Sequence, residues 1–290
     1  MQRARIIGLV MSVGVLYGHV TLAVVAGPAS EVIEQGYRRV AQARMAPDTP
    51  TREALLTEAL AAFKTGYQTD AASPTSKVHA LLGAAQVSLL VQTPRRVFPF
   101  LWQATPLQRA EKNLQQVLVF QPDNAAAALL LGIVYWRQAT QTTGAAPDLL
   151  ARSRHYLAQA ARLGLPIRLD PAPAPAADPG AWWRLEDSIV ALRYIDARGT
   201  GRADDLLLVY QRAGNAPIFG TVVTGGQAHA LITETSTGVL ALQGLLEAQT
   251  TIPQPGKPPI LLMHLRKGRQ LVEARFTWDG THFVHIPVPQ

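Results

Sequence analysis

The stretch 166-PIRLDPAPAPAADPG-180 divides this chain and limits what it can fold into. Its five prolines and lack of apolar periodicity stop helix and sheet alike, and such composition reads as a stiff, extended linker. Before it the chain is rich in Ala, Leu, Gln and Arg, all good helix formers. After it come β-branched runs broken by Gly, Asp and Pro. With 290 residues there is length for two domains. The predicted fold class is therefore α+β in separate domains: helical hairpins over 27–165, a Pro-rich linker over 166–181, and a small antiparallel β-sheet or sandwich over 182–290.

Helix starts are marked in the first half. Thr49-Pro50, Ser73-Pro74 and Thr105-Pro106 each place a hydroxyl before a proline suited to the first helical position. Pro122-Asp123-Asn124 and Pro147-Asp148 mark two further boundaries. The spacing predicts helices over about 31–45, 50–68, 75–91, 106–121, 124–140 and 148–163. These helices repeat in pairs: 81-LLGAAQ-86 matches 130-LLGIVY-135, and 59-ALAAFKTG-66 matches 110-AEKNLQQVLVFQP-122. In the second helices a small residue precedes a large one by four positions, so close approach at the alanine is filled by its larger neighbour.

Leu82-Gly83, Leu131-Gly132, Tyr135, Ala59/Phe63, Ala110/Leu114 and Pro122 together resemble the tetratricopeptide repeat. The resemblance departs in spacing, because Leu82 and Leu131 lie 49 residues apart where the family uses about 34. It implies a scaffold whose first helices line a concave groove. Carried over by the motif, that groove would present Lys77, Ala84 and Val87, then Ile133, Trp136 and Arg137. Each has a plainer reading beside it: Lys77 as a solvated charge, Trp136 as packing against a neighbouring repeat. The loop 93-TPRRVFPFLWQATP-106 also reads two ways. Basic residues beside aromatics suit an anionic membrane surface or a docking patch. The scarcity of exposed apolar patches favours a lid folded back over the helices.

In the second half, alternation and turn residues predict strands over 188–195, 205–211, 217–223, 228–234, 259–266, 269–277 and 282–287. Lys267-Gly268 and Asp279-Gly280 supply tight turns for the last three. The run 189-IVALRYI-195, its Asp/Gly loop and 206-LLLVY-210 resemble a single FG-GAP/VCBS-type repeat, a unit that often holds calcium. Calcium loops supply oxygens at alternate positions. With Asp196 at the first, Arg198 falls at the third, Thr200 at the fifth and Asp204 at the ninth, Asp205 following. Arginine has no lone pair to donate. The expectation is a degenerate loop in which Arg198 pairs with Asp196 or Asp204, with no metal and no cofactor.

Charge and motifs narrow the function further. Residues 27–165 carry 14 basic and 9 acidic side chains, a surplus of +5, whereas residues 166–290 carry 11 of each. The surplus is spread over a helical region without the concentrated stripe of a nucleic-acid binder, so no nucleic-acid partner is expected. Cysteine is absent, which removes disulfides, thiolate nucleophiles and sulfur-ligated metals. His282 and His285 are three apart on a strand and face opposite sides, so they cannot chelate one ion together. No GxSxG, HExxH or Walker pattern occurs, and no catalytic residue is predicted. Arg3 and Arg5 before the apolar run to Ala26 have the anatomy of a signal peptide over 1–26, although the run is also long enough to anchor. Export to the periplasm or cell exterior is expected, or else an inner-membrane anchor. The reading that follows is a non-enzymatic scaffold of a bacterial envelope. Its helical groove would take an acidic, partly apolar protein segment, and residues 27–165 alone would carry the binding. The alternative is an enzyme or carbohydrate-binding module with its site on the β half.

Overall fold

The computed structural model describes residues 28–69, 72–91, 104–141, 146–167, 183, 185, 187–211, 218–231, 233–235, 238–240, 245–254, 256–267 and 270–287. The leader over 1–26, most of the 93–106 loop and most of the Pro-rich stretch lie outside these residues. Among the described residues six helices come first. They are α1 (Pro28–Met45), α2 (Thr49–Gln68), α3 (Pro74–Leu90), α4 (Pro106–Phe120), α5 (Ala125–Gln141) and α6 (Pro147–Arg162). No described helix is long and apolar enough to cross a membrane.

The helix starts follow local chemistry. Ser73 and Thr105 accept hydrogen bonds from the amides of Ser76 and Gln108, and Gln108 returns the bond to complete a capping box at Thr105. The cap of α2 is Asp48 and not Thr49: its carboxylate takes both the amide and the hydroxyl of Thr51. Each helix packs on the next, and α3 also packs on α1 and on α5. Close approach depends on glycine. A Cβ on Gly36 of α1 or Gly83 of α3 would lie 2.7 or 2.3 Å from the Phe63 ring of α2, which is buried between them.

Two four-stranded antiparallel sheets follow. The first runs in the order β1 (Ser188–Ile195), β2 (Asp205–Gln211), β3 (Ile218–Thr224) and β4 (Gln227–Leu231). A small hairpin, β5 (Thr233–Thr235) and β6 (Gly238–Leu240), leads to the second sheet. That sheet holds β7 (Leu245–Gln254), β8 (Lys257–Lys267), β9 (Gln270–Trp278) and β10 (Phe283–Ile286), in the order β10-β9-β8-β7. Strands β6 and β7 occupy a stretch that the sequence leaves unassigned, and β5 overlaps only the end of the strand expected over 228–234. The pairing of β7 with β8 shifts between Leu246 and Ala248 and again between Ile252 and Gln254. Glu247 and Pro253 thus fall outside regular register, and a proline, which lacks a ladder donor, is tolerated at such a bulge. Two bulges erase the alternation that would announce the strand.

Strand β2 joins the halves. Leu206, Leu208 and Tyr210 enter a core built largely by α3, α4, α5 and α6, while Leu207 and Val209 face Leu261, Met263 and Phe276 of the second sheet. With both faces covered, a continuous apolar run replaces alternation. At the two ends of the Pro-rich stretch, Ile167 and Trp183 pair in a parallel bridge, and the Trp183 amide donates to the Pro166 carbonyl at 2.7 Å. Gly164, at the end of α6 with φ +95°, sits so close to the β3–β4 turn that a Cβ would lie 2.2 Å from the Gly226 carbonyl oxygen. The buried apolar residues form three clusters: one joins α3 to α6 with the first sheet, one lies between the two sheets, and one lies among α1, α2 and α3.

Candidate functional site

Where the helical layer meets β1, the chain encloses a cleft of about 1360 Å³. That exceeds the usual 300–1,000 Å³ of a small-molecule pocket. One wall is the C-terminal half of α3 with the stripe Leu130, Ile133, Trp136, Arg137 and Gln141 of α5. From Ile133 onward the spacing is i, i+3, i+4, i+8, with Leu130 about one turn before, which keeps these residues on one helix face. The opposite wall is Trp183, Leu185 and the start of β1, and the ends of α1, α2 and α4 close the rim. Neither half makes the cleft alone.

The sequence's groove residues separate here. Ile133, Trp136 and Arg137 line the cleft; Lys77, Ala84 and Val87 do not. Ala84 and Val87 are buried with Ala59 and Phe63, because the stripe containing Ala80 turns toward α2. The face of α3 that meets the cleft is the neighbouring one, with Gln86, Leu89 and Leu90. Gln86 is also structural: buried, it donates to the Leu192 carbonyl of β1 at 2.8 Å.

Arginines dominate the electrostatics. Arg44 at the end of α1 donates to the Ile189 carbonyl, Arg52 of α2 to the Leu90 carbonyl at 3.4 Å, and Arg137 to the Leu89 carbonyl at 2.7 Å. The latter two carbonyls are orphans of the last turn of α3, which cations stabilise. Among the described residues none of these three guanidiniums has a carboxylate within ion-pair distance. Burial, and after it the nearby Arg52 charge, pulls the Arg44 guanidinium down to about 10. Burial also holds Arg137 below its ordinary value. Among the described residues, two N–H groups on the lining, Arg44 Nε and Trp183 Nε1, are buried without a hydrogen-bond partner. Two acids line the cleft, Glu111 and the buried Asp187, and Glu111 accepts from Tyr135 at 2.9 Å and from Gln138 at 3.0 Å. Arg152 lies 5.7 Å from the centre of the Tyr135 ring. Sequence reasoning did not single out Arg44, Arg52 or Trp183. The one available signal was their type, arginines near helix ends and a tryptophan pair after prolines.

The Asp196 loop lies elsewhere, between β1 and β2. Asp196 accepts the amides of Thr200 and Gly201, both at 2.8 Å, and takes no part in pairing with Arg198. Arg198 instead donates to Asp205 at 2.8 Å and to Asp204 at 3.3 Å, while Asp205 also accepts the Ala197 amide. Asp205 is 0% exposed, and burial raises its pKa against the opposing pull of Arg198. The guanidinium thus neutralises the carboxylates that a cation would have needed, and the oxygens of Asp196 are spent on the turn. No cluster of three or more metal-ligating side chains occurs among the described residues. His282 is bound locally to Thr281 and Asp279, and His264 lies 3.9 Å from Glu273 on the second sheet.

Comparison with protein-family models, curated proteins and solved structures finds no match to this chain.

Proposed function

We propose that this chain is a non-enzymatic binding protein that holds an extended protein segment in the cleft between its helices and its first sheet. In this reading the helical layer is a tetratricopeptide-like array and the two sheets are a β sandwich that completes the site. The chain is exported to a bacterial envelope by the Arg3/Arg5 leader. The observation that carries the proposal is a cleft of about 1360 Å³ that combines Trp136, Ile133 and Leu89 with three arginines lacking acidic partners among the described residues. Large apolar side chains beside arginines are the composition of binding hot spots. Catalysis would need a nucleophile and a base brought together, and of the two acids on the cleft lining, Glu111 and Asp187, the first is already held by Tyr135 and Gln138.

Site-specific photo-crosslinking tests this. A photoactivatable residue at Gln141, exposed on the cleft rim, should capture a defined protein adduct from envelope extract of the source cells. The same residue at Val119, 79% exposed on α4 and not on the cleft lining, should not. Equal labelling from both positions, or none from Gln141, would remove the segment-binding reading.

A further inference from the structure

Arg52 and Arg137 meet the last turn of α3 at one end of the cleft, and Arg44, close enough to Arg52 to feel its charge, donates to the Ile189 carbonyl of β1. Capping the carbonyls of α3 accounts for one hydrogen bond from Arg52 and one from Arg137. It does not account for the rest. A guanidinium has five donors, and Arg44, the most buried of the three, leaves its Nε without a partner among the described residues, beside the charge of Arg52. The indole N–H of Trp183, itself 1% exposed, is a second such donor on the same lining. Buried donors without acceptors and like charges without a counter-charge are both unfavourable. An anion entering from the cleft relieves both.

We propose that this end of the cleft is a carboxylate subsite. The bound segment is held there by an acidic side chain or its free C-terminal carboxylate, with Arg44, Arg52 and Arg137 as donors. The inference rests on the segment-binding reading and specifies its chemistry. A single negative charge fits better than a dianionic phosphate, because the C-terminal dipole of α3 already places partial negative charge at the same spot. The flanking Leu89, Leu90 and Trp136 favour an apolar group next to that charge. Arginine pairs with a carboxylate through two parallel hydrogen bonds, and apolar neighbours limit competition from water.

Titration of the full chain with four small probes, followed by tryptophan fluorescence and thermal melting, tests the subsite. N-acetylleucine carries a free α-carboxylate beside an apolar side chain, and N-acetylleucinamide is its neutral counterpart. N-acetylglutamic acid α-amide offers a side-chain carboxylate, and inorganic phosphate is the fourth probe. N-acetylleucine or the glutamic acid amide should bind at least about tenfold more tightly than N-acetylleucinamide, and the tighter of the two identifies the source of the carboxylate. Arg52→Gln and Arg137→Gln, each checked for native circular dichroism, should erase most of that preference. Equal binding of acid and amide, tighter binding of phosphate, or unchanged affinity in both folded variants overturns the carboxylate subsite. If the acid preference is seen but the Gln141 crosslinker captures no protein, the subsite stands and the segment-binding reading falls. If the crosslinker captures a protein and the acid preference is missing, the reverse holds.

Discussion

The helical half and the sheet half differ in where their structural information lies. The helices α2, α3 and α4 announce themselves within a few residues, each through a capping side chain and a proline in the first turn, and all six observed spans fall close to those expected. Strand signals are less uniform: β2, covered on both faces, still shows as a continuous apolar run, whereas β7 hides behind two bulges. Helix identity is thus local, and strand identity depends on what covers each face. The difference also locates the site, because the cleft forms where a locally specified helical layer meets a sheet placed by long-range packing.

The sharpest way to break this comparison is to separate the halves. Leu130, Leu165, Tyr210, Leu206 and Leu208 share one core across the junction, so residues 27–165 alone would expose a large apolar face. That fragment should lack the cooperative thermal transition of the full chain and should bind a hydrophobic dye. A fragment melting sharply at the full-length temperature would show that the halves fold independently. Point changes in each half should then report on one shared transition. Phe63→Ala removes the ring between Gly36 and Gly83 and should cost about 3–5 kcal/mol in urea denaturation. Phe276→Ala, between the sheets, should cost a similar amount and shift the same transition. Two transitions moving separately would contradict the shared core.

The junction carries a pH signature. His79 of α3 stacks on Tyr194 of β1 at 5.8 Å, and burial, assisted by the Arg193 charge, lowers its pKa to about 4. Between pH 6.5 and about 4 the unfolded chain therefore takes up a proton that the folded chain refuses. Stability is complete above the unfolded value and declines as pH falls through this window, by at most roughly 3 kcal/mol. His79→Asn should remove that part of the slope, leaving the carboxylate contribution, when urea melts at pH 7 and pH 4.5 are compared.

Two smaller effects contrast long-range and local signals. Arg198→Ala leaves the buried Asp205 carboxylate without its cation and should cost about 2 kcal/mol, less than a wholly buried pair because Arg198 is 30% exposed. Burial already raises the Asp205 pKa, and loss of Arg198 raises it further. The penalty should thus grow as pH rises above the carboxylate range and shrink in acid, where Asp205 is protonated in both states. Thr105→Ala opens the capping box of α4 and should cost only about 1 kcal/mol, independent of pH. A pH-independent Arg198→Ala penalty would contradict the electrostatic account of that loop.

The cleft was half legible before the fold was known. Ile133, Trp136 and Arg137 lie on one stripe of α5 that follows helical spacing. Lys77 and Val87 follow the same spacing rule on α3, but Val87 lies in the core against α2. Spacing identifies a face without saying what covers it. Arg44, Arg52 and Trp183 come from three separate segments, and no local pattern relates them. At the Asp196 loop the sequence identified the arginine among carboxylates. Its choice of Asp205 and Asp204 depends on burial at the start of β2, and Asp196 is taken by the turn amides.

By itself the sequence determined the helix boundaries, the change of class after residue 165, most of the strands and the charge division, because caps, periodicity and composition act over a few residues. Tertiary structure alone decided that Ile167 and Trp183 meet, that β2 is sealed on both faces, and that arginines from α1, α2 and α5 share one cleft, two of them on the end of α3. Those outcomes depend on which apolar faces bury one another, a free-energy balance over the whole chain that no short window of residues contains.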